Sequence, residues 1–213
     1  MDLSPESQNP LQTNTDKVSP AESSQKNEKE SMFGEIVRFS LIALLIVLPV
    51  RLFIAQPFIV SGASMETTFS TGQYIIVDQL TYHFEEPVRG EVIVFRYPKD
   101  PSKFFIKRII AIPGDTIAIS GRDVIISNDE HPDGVHLDES YVHDMKPTTT
   151  LTETLGNDEY FVMGDNRDAS SDSRSWGVLQ RDKIIGRAFL RLFPFTNIGI
   201  FPGSFVNEAG GEL

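Results

Sequence analysis

The chain has 213 residues, 19 lysines and arginines against 30 aspartates and glutamates, a formal net charge of −11 at pH 7, and no cysteine. The acidic balance excludes nonspecific nucleic-acid binding, which needs a basic surface, and the missing thiols exclude disulfides and cysteine catalysis. A chain of this length holds one medium domain plus a further segment.

Residues 1–31 carry only Met1, Leu3, Leu11, Val18 and Ala21 as apolar residues. That is too little apolar surface to offset the entropy lost on ordering the backbone, so a disordered tail is expected. The run FSLIALLIVLPVRLFIA, residues 39–55, follows, broken only by Ser40, Pro49 and Arg51. Extended by Ile36 and Val37, it is long enough to span a bilayer, and a transmembrane anchor is expected over residues 36–56. A cleaved secretory signal fits less well, because the lead-in is long and polar and Phe53 spoils an A-x-A site ending at Ala55. A core helix of a soluble fold is the other alternative. Lys26, Lys29 and Arg38 precede the run, whereas residues 56–75 hold neither lysine nor arginine. Positive residues stay inside, so a cytoplasmic tail, a single pass through the cell membrane and an outer domain of residues 57–213 are expected. Pro49 is expected to kink the helix and Arg51 to reach the outer interface.

Beyond the anchor, short apolar runs alternate with turn signals. Strands are expected at 73–80, 91–97, 104–112, 116–120, 123–127, 159–165 and 183–193, separated by VRG, PKDPS, PGD and SGRD. No long amphipathic helical pattern competes, so the fold class is mainly β, a domain of antiparallel sheets. The polar stretch 127–157 reads as a variable loop or small lobe.

Three places in this domain carry chemistry. In SGASMETTF, residues 61–69, Gly62 and Ala63 leave the backbone beside Ser64 unobstructed, as a nucleophile needs. Such turns are also common in ordinary loops, and Glu66 breaks the G-x-S-x-G elbow. In FFIKRIIAIPGD, residues 104–115, Lys107 and Arg108 interrupt an apolar strand and must point to opposite faces. Their ordinary role would be to reach water along their alkyl stems near a strand end. The third place, GDNRDASSDSRSWG at 164–177, is dense in polar groups directly after a strand. As a calcium loop counted from Asp168 it supplies Ser170 and Asp172, but Ser173 replaces the turn glycine and Leu179 the closing glutamate. His131, His136 and His143 lack zinc-site spacing, so neither metal nor cofactor is expected. The S-x-x-K match SSQK at 23–26 falls in the expected tail with no K-T-G elsewhere and is chance.

Taken in order, SGASM, TGQYIIVD, RGEVIVFRYP, FFIKRIIAIPGD, GDNRDASSDSRSWG and IIGRAF resemble the motifs of bacterial type I signal peptidases, the serine/lysine leader peptidases, across roughly residues 56–193. The resemblance implies a β-rich serine endopeptidase that cuts signal peptides from exported preproteins after small side chains. Its partners would be those signal peptides, the lipid bilayer and, by proximity, the protein-export machinery. By motif position it implies Ser64 as nucleophile, with its backbone N–H as oxyanion donor, and Lys107 as general base. It further implies Ser170 holding the lysine amine, Asp172 and Arg174 as an ion pair near Arg108, and Met65 shaping the site. The sequence departs from many relatives at Thr67 and Ala169, where proline and asparagine are usual, and from some at Gly62, where serine is a second oxyanion donor.

Elementary chemistry points the same way. A serine needs a base, and a lysine serves only when neutral, which burial in an apolar strand favours. Arg108 cannot lose its proton and needs a carboxylate, for which Asp172 is the sequence candidate. The alternatives are a tethered β-domain that binds peptides without cutting them, and an anchored hydrolase using a Ser-His pair.

Overall fold

The computed structural model describes residues 24–49, 55–143, 146 and 148–205. Contacts divide the chain into two compact units between Ile46 and Val47. Helix α1 runs over Ser24–Pro49, its last three residues lying past that division, so the part of the expected tail from Ser24 onward is helical. Leucine, alanine, lysine and glutamate favour the helix, isoleucine and valine are tolerated in it, and within α1 no proline precedes Pro49, its last described residue. Its large apolar side chains from Met32 to Leu48 are exposed. No helix among the described residues is long and apolar enough to cross a membrane. The expected anchor runs beyond α1, however: residues 50–54, with Arg51, lie outside the described residues, and Ala55 and Gln56 already belong to the first strand.

The second unit is two antiparallel sheets. The larger contains β1 (Ala55–Ile59), β2 (Tyr74–Asp78), β3 (Val92–Tyr97) and β4 (Asp100–Ala111). The smaller is built from β5 (Thr116–Gly121), β6 (Asp123–Ser127), β7 (Val135–His136) and β8 (Thr148–Thr154). The chain then returns to the larger sheet with β9 (Glu159–Met163), the four-residue helix α2 (Ser173–Trp176), β10 (Leu179–Gln180), β11 (Ile184–Phe193) and β12 (Gly199–Ile200). The strand order is β1-β2-β11-β3-β4-β9-β10, with β12 added on β11, and β7-β6-β5-β8 in the smaller sheet.

All seven expected strands are present, six with a shifted end and β6 with the bounds expected. The stretch 127–157 is not merely loop: it supplies β7 and β8, and β8 pairs with β5 from Thr116↔Thr154 to Gly121↔Thr148. Its threonine-rich sequence suits a pleated surface but lacks the apolar alternation that announces a strand.

Strand β3 explains why the larger sheet is buried on both faces. Val92 and Val94 join Val60, Met65, Phe69, Ile75 and Val77 on one side, and Ile93 and Phe95 join Tyr82, Ile109, Tyr160 and Val162 on the other. Each fully buried side chain of this size contributes roughly 1.5–3 kcal/mol of transfer free energy. Beside β3 lies β4, pairing Ile93↔Lys107 and Val92↔Arg108, so two cations are built into the centre of the sheet.

Candidate active site

Ser64 lies in the turn between β1 and β2. The turn is pinned by its apolar residues: Met65 and Phe69 are buried in the core, and Phe69 N–H donates to the Met65 carbonyl at 2.7 Å. Met65 therefore anchors the nucleophile turn from below. From the other side, Asn166 N–H donates to the Ser64 carbonyl at 3.0 Å. Gly164 permits that approach, since a Cβ there would lie 2.4 Å from the Ser64 carbonyl oxygen and 2.3 Å from Ser170 Oγ.

Lys107 is only 3% exposed. Its Nζ stands 2.7 Å from Ser64 Oγ and donates to the Ile106 carbonyl at 2.8 Å. Burial pushes the amine down to about 8, against the opposing pull of the Asp172 and Asp165 carboxylates. When charged, Nζ donates to Ser64 Oγ; when neutral, it offers its lone pair to the serine O–H along the same line. The pair opens into an apolar cleft of about 110 Å³ lined by Phe58, Val60, Ile75, Val94, Phe104 and Ile106, and the cleft lining contains no histidine among the described residues.

Two assignments from the sequence need correction. Arg108 does not pair with Asp172. Its Nε and Nη2 donate to Asp165 at 2.9 and 2.6 Å, both side chains being 1% exposed. The register is the cause: Arg108 sits opposite Met163 on β9, so the carboxylate two residues further on is within reach. Arg108 Nη1 also donates to the Gly90 carbonyl at 2.8 Å and to that of Gly203. Nor does Ser170 hold the lysine amine. Its Oγ is buried near Asp172, close enough to help lower that carboxyl, but it forms no aligned hydrogen bond among the described residues.

Asp172 instead receives Arg174 Nε and Nη2, each at 2.8 Å, and the Gly164 N–H at 3.1 Å. It also caps α2 by accepting from Arg174 N. Burial alone would raise its carboxyl, but the Arg174 hydrogen bonds and charge prevail and hold it below its usual value.

Sequence reasoning missed Asp165, Arg167, Thr68 and Glu139. Thr68 Oγ1 donates to Asp165 Oδ2 at 2.6 Å, tying the nucleophile turn to the Arg108 pair. Arg167 donates to the Gly164 carbonyl at 3.0 Å and forks onto the Glu139 carboxylate. Asp165 stood in the polar motif beside Asp168 and Asp172, with nothing local to single it out. Glu139 is 28 residues from its partner.

A serine hydroxyl against a buried, partly neutral lysine at the mouth of an apolar cleft is the equipment for acyl transfer. Comparison with known proteins decides which kind. Residues 33–193 match the family described as signal peptidase, peptidase S26. The chain belongs to that family.

Signal peptidase relatives cover most of the chain. A probable signal peptidase I-2 of Synechocystis sp. is 33% identical over 88% of this chain and 87% of its own. A signal peptidase I of Leptolyngbya laminosa is 33% identical over 92% and 96%, and a signal peptidase I P of Bacillus subtilis subsp. natto is 31% identical over 80% and 94%. A crystal structure of a signal peptidase I from Enterococcus faecalis is similar at 28% identity, with a TM-score of 0.41, covering 48% of this chain and 97% of that one. As a member of the S26 signal peptidases, the protein is a signal-peptide-cleaving serine endopeptidase.

Proposed function

We propose that this signal peptidase works through a Ser64–Lys107 dyad. The observation that carries the reading is the 2.7 Å contact between Ser64 Oγ and an Nζ whose affinity for protons is lowered by burial. Neutral Lys107 accepts the Ser64 proton as Oγ attacks the scissile carbonyl, then gives it to the leaving amine, so the new mature N-terminus departs neutral. Water then loses a proton to the same amine, attacks the acyl-enzyme, and releases the signal peptide as a carboxylic acid with Ser64 restored. The Ser64 N–H, which donates to no group among the described residues, is available to the oxyanion.

The signal peptide lies extended along β1. Among the described residues this is the edge strand of the larger sheet, with a row of backbone groups that no neighbouring strand pairs and that an added strand could use. The small apolar cleft beside Ser64 supports acceptance of small side chains at the cut and argues against a merely peptide-binding domain, which needs no depressed lysine. The absence of histidine from its lining argues against a Ser-His hydrolase.

We further place the enzyme on the outer face of the cell membrane, held by a single anchor that begins at residue 36 and ends before β1, with the N-terminus in the cytoplasm. The bilayer is thus its second partner, and the export machinery its neighbour. The apolar, exposed side chains of α1 support this. The test is incubation with a preprotein and mass-spectrometric reading of the products. A single cut after a small residue at the end of the signal peptide is expected, and Ser64→Ala should abolish it. Cleavage retained by Ser64→Ala at the parent rate would refute the dyad.

A further inference from the structure

After β12 the described chain continues through residues 201–205 as no strand of its own, joined to β11 by the Phe201 N–H, which donates to the Phe189 carbonyl at 2.7 Å, and this short segment reaches the buried arginine beside Lys107. The Gly203 carbonyl accepts from Arg108 Nη1. Gly203 has φ +77, and a Cβ there would lie 2.5 Å from Thr68 Cγ2, 3.2 Å from Phe69 Cε2 and 3.4 Å from Val92 Cγ2. Thr68 and Phe69 belong to the nucleophile turn, and Val92 is the β3 residue opposite Arg108. Further along, the Phe205 ring packs on Tyr141 at 5.2 Å, and the Tyr141 ring lies 4.0 Å from the Arg108 guanidinium.

We propose that residues 201–205 are a positioning strap that presses the nucleophile turn against the strand carrying Lys107, with Gly203 the residue that allows the close approach. The proposal rests on the Ser64–Lys107 reading and adds to it where the alignment of the pair comes from. Lys107 is fixed, because β4 is held between β3 and β9. Ser64 is on a turn, and the turn is what can move. Its inner side is anchored by Met65 and Phe69, and its far end by the Thr68–Asp165 bond. The strap covers that far end and supplies a carbonyl to the same arginine that holds Asp165. Lifting it would leave Arg108 short of an acceptor and free the nucleophile turn to move off Lys107, which admits water there.

The test uses the full chain carrying Gly203→Ala, with and without Thr68→Ser, and a chain stopped after Ile200. Single-turnover cleavage of a signal-peptide substrate is measured between about pH 6 and pH 10, alongside thermal unfolding. Gly203→Ala should lower the maximal rate at least about tenfold, leave half-saturation within about twofold, and move the acid limb upward as Lys107 regains hydration. The substitution replaces none of the charged groups around Lys107, namely Asp165 and Asp172 with Arg108 on the opposite strand face, so a moved limb reports on the altered placement of the turn and of the Arg108–Asp165 pair. A loss of global stability alone would not move the limb. Thr68→Ser removes the obstructing Cγ2 and keeps the hydroxyl on Asp165, and so should restore part of the rate in the Gly203→Ala background, the strain of an alanine at φ +77 remaining. The chain stopped after Ile200 should share the Gly203→Ala profile.

A folded Gly203→Ala enzyme with parental rate and limb would overturn the strap, as would absence of rescue by Thr68→Ser. If neither Gly203→Ala nor the shortened chain folds, the segment is a folding element and the proposal is likewise wrong. Lys107→Met separates the two readings. A residual limb unchanged in that variant sinks the dyad, whereas a limb owned by Lys107 but indifferent to Gly203→Ala sinks only the strap.

Discussion

Lys107 shows how a placement that is costly for folding becomes the mechanism. An unperturbed lysine titrates near 10.4, and burial brings this one down to about 8. The unfolded chain therefore binds the proton more tightly than the folded one. Below pH 8 both states are protonated and the full penalty to folding, roughly 3 kcal/mol, is present. As the pH rises from about 8 to about 10.4 the folded lysine is neutral while the unfolded one is still losing its proton, so the penalty is relieved, and above that window it is gone. Lys107→Met keeps the length of the side chain and removes the charge. It should be inactive, yet at pH 7 at least as stable as the parent, with the advantage vanishing by about pH 10.5. The parent's kcat/KM should rise with pH through a midpoint near 8. Urea unfolding of both proteins at the two pH values, with a pH-rate profile of the parent, checks all three expectations. A marked loss of stability in Lys107→Met at pH 7 would mean that the lysine is a stabilising ion and not a destabilised base.

At the scale of elements, β4 brings a base and a structural cation to one place by alternation alone: Lys107 faces Ser64 and Arg108 faces Asp165. The two carboxylates of the polar motif consequently differ in what they support. Asp165→Ala would strand a guanidinium whose side chain is 1% exposed, a change that typically costs about 3–5 kcal/mol. Asp172→Ala would strand Arg174, which is 14% exposed and can turn to water; it should cost less, about 1 kcal/mol for the lost helix cap together with the Gly164 N–H left without its acceptor. Thermal or urea unfolding should therefore rank Asp165→Ala well below Asp172→Ala, and the reverse order would show that Asp172 holds the core. Strand alternation was enough to predict that Lys107 and Arg108 diverge, and the polar motif was enough to locate the supporting loop. Which aspartate meets Arg108 depends on the β4–β9 register, a pairing between segments some fifty residues apart. Glu139 and β8 escaped detection for the same reason. Their partners are remote, and neither threonine alternation nor one glutamate in an acidic stretch carries a local signal.

For the whole molecule, the fold class was readable because apolar runs of strand length and turn dipeptides recur from residue 73 onward, while the N-terminal helix announced itself by composition. What the helix does is a question of solvent. Met32 to Leu48 present large apolar side chains on the outside of α1, a surface that water disfavours and hydrocarbon accepts. If this helix anchors the enzyme, its benefit is concentration: tethering both enzyme and preprotein to one bilayer can raise effective affinity by about 10²–10⁴ without any new contact at the site. Leu44→Lys with Leu45→Lys puts two charges at the centre of the apolar stretch, each disfavouring insertion by about 2.5–3.5 kcal/mol. The parent should remain in membranes after an alkaline wash, and the double variant should be released. Cleavage of a short soluble peptide should stay within about twofold, because Ser64, Lys107 and the cleft are unchanged, whereas cleavage of a membrane-inserted preprotein should fall at least about 10²-fold. Equal loss on both substrates would mean that the substitutions damage the catalytic unit. A parent that washes off, or a variant that stays behind, would show that α1 is not the anchor.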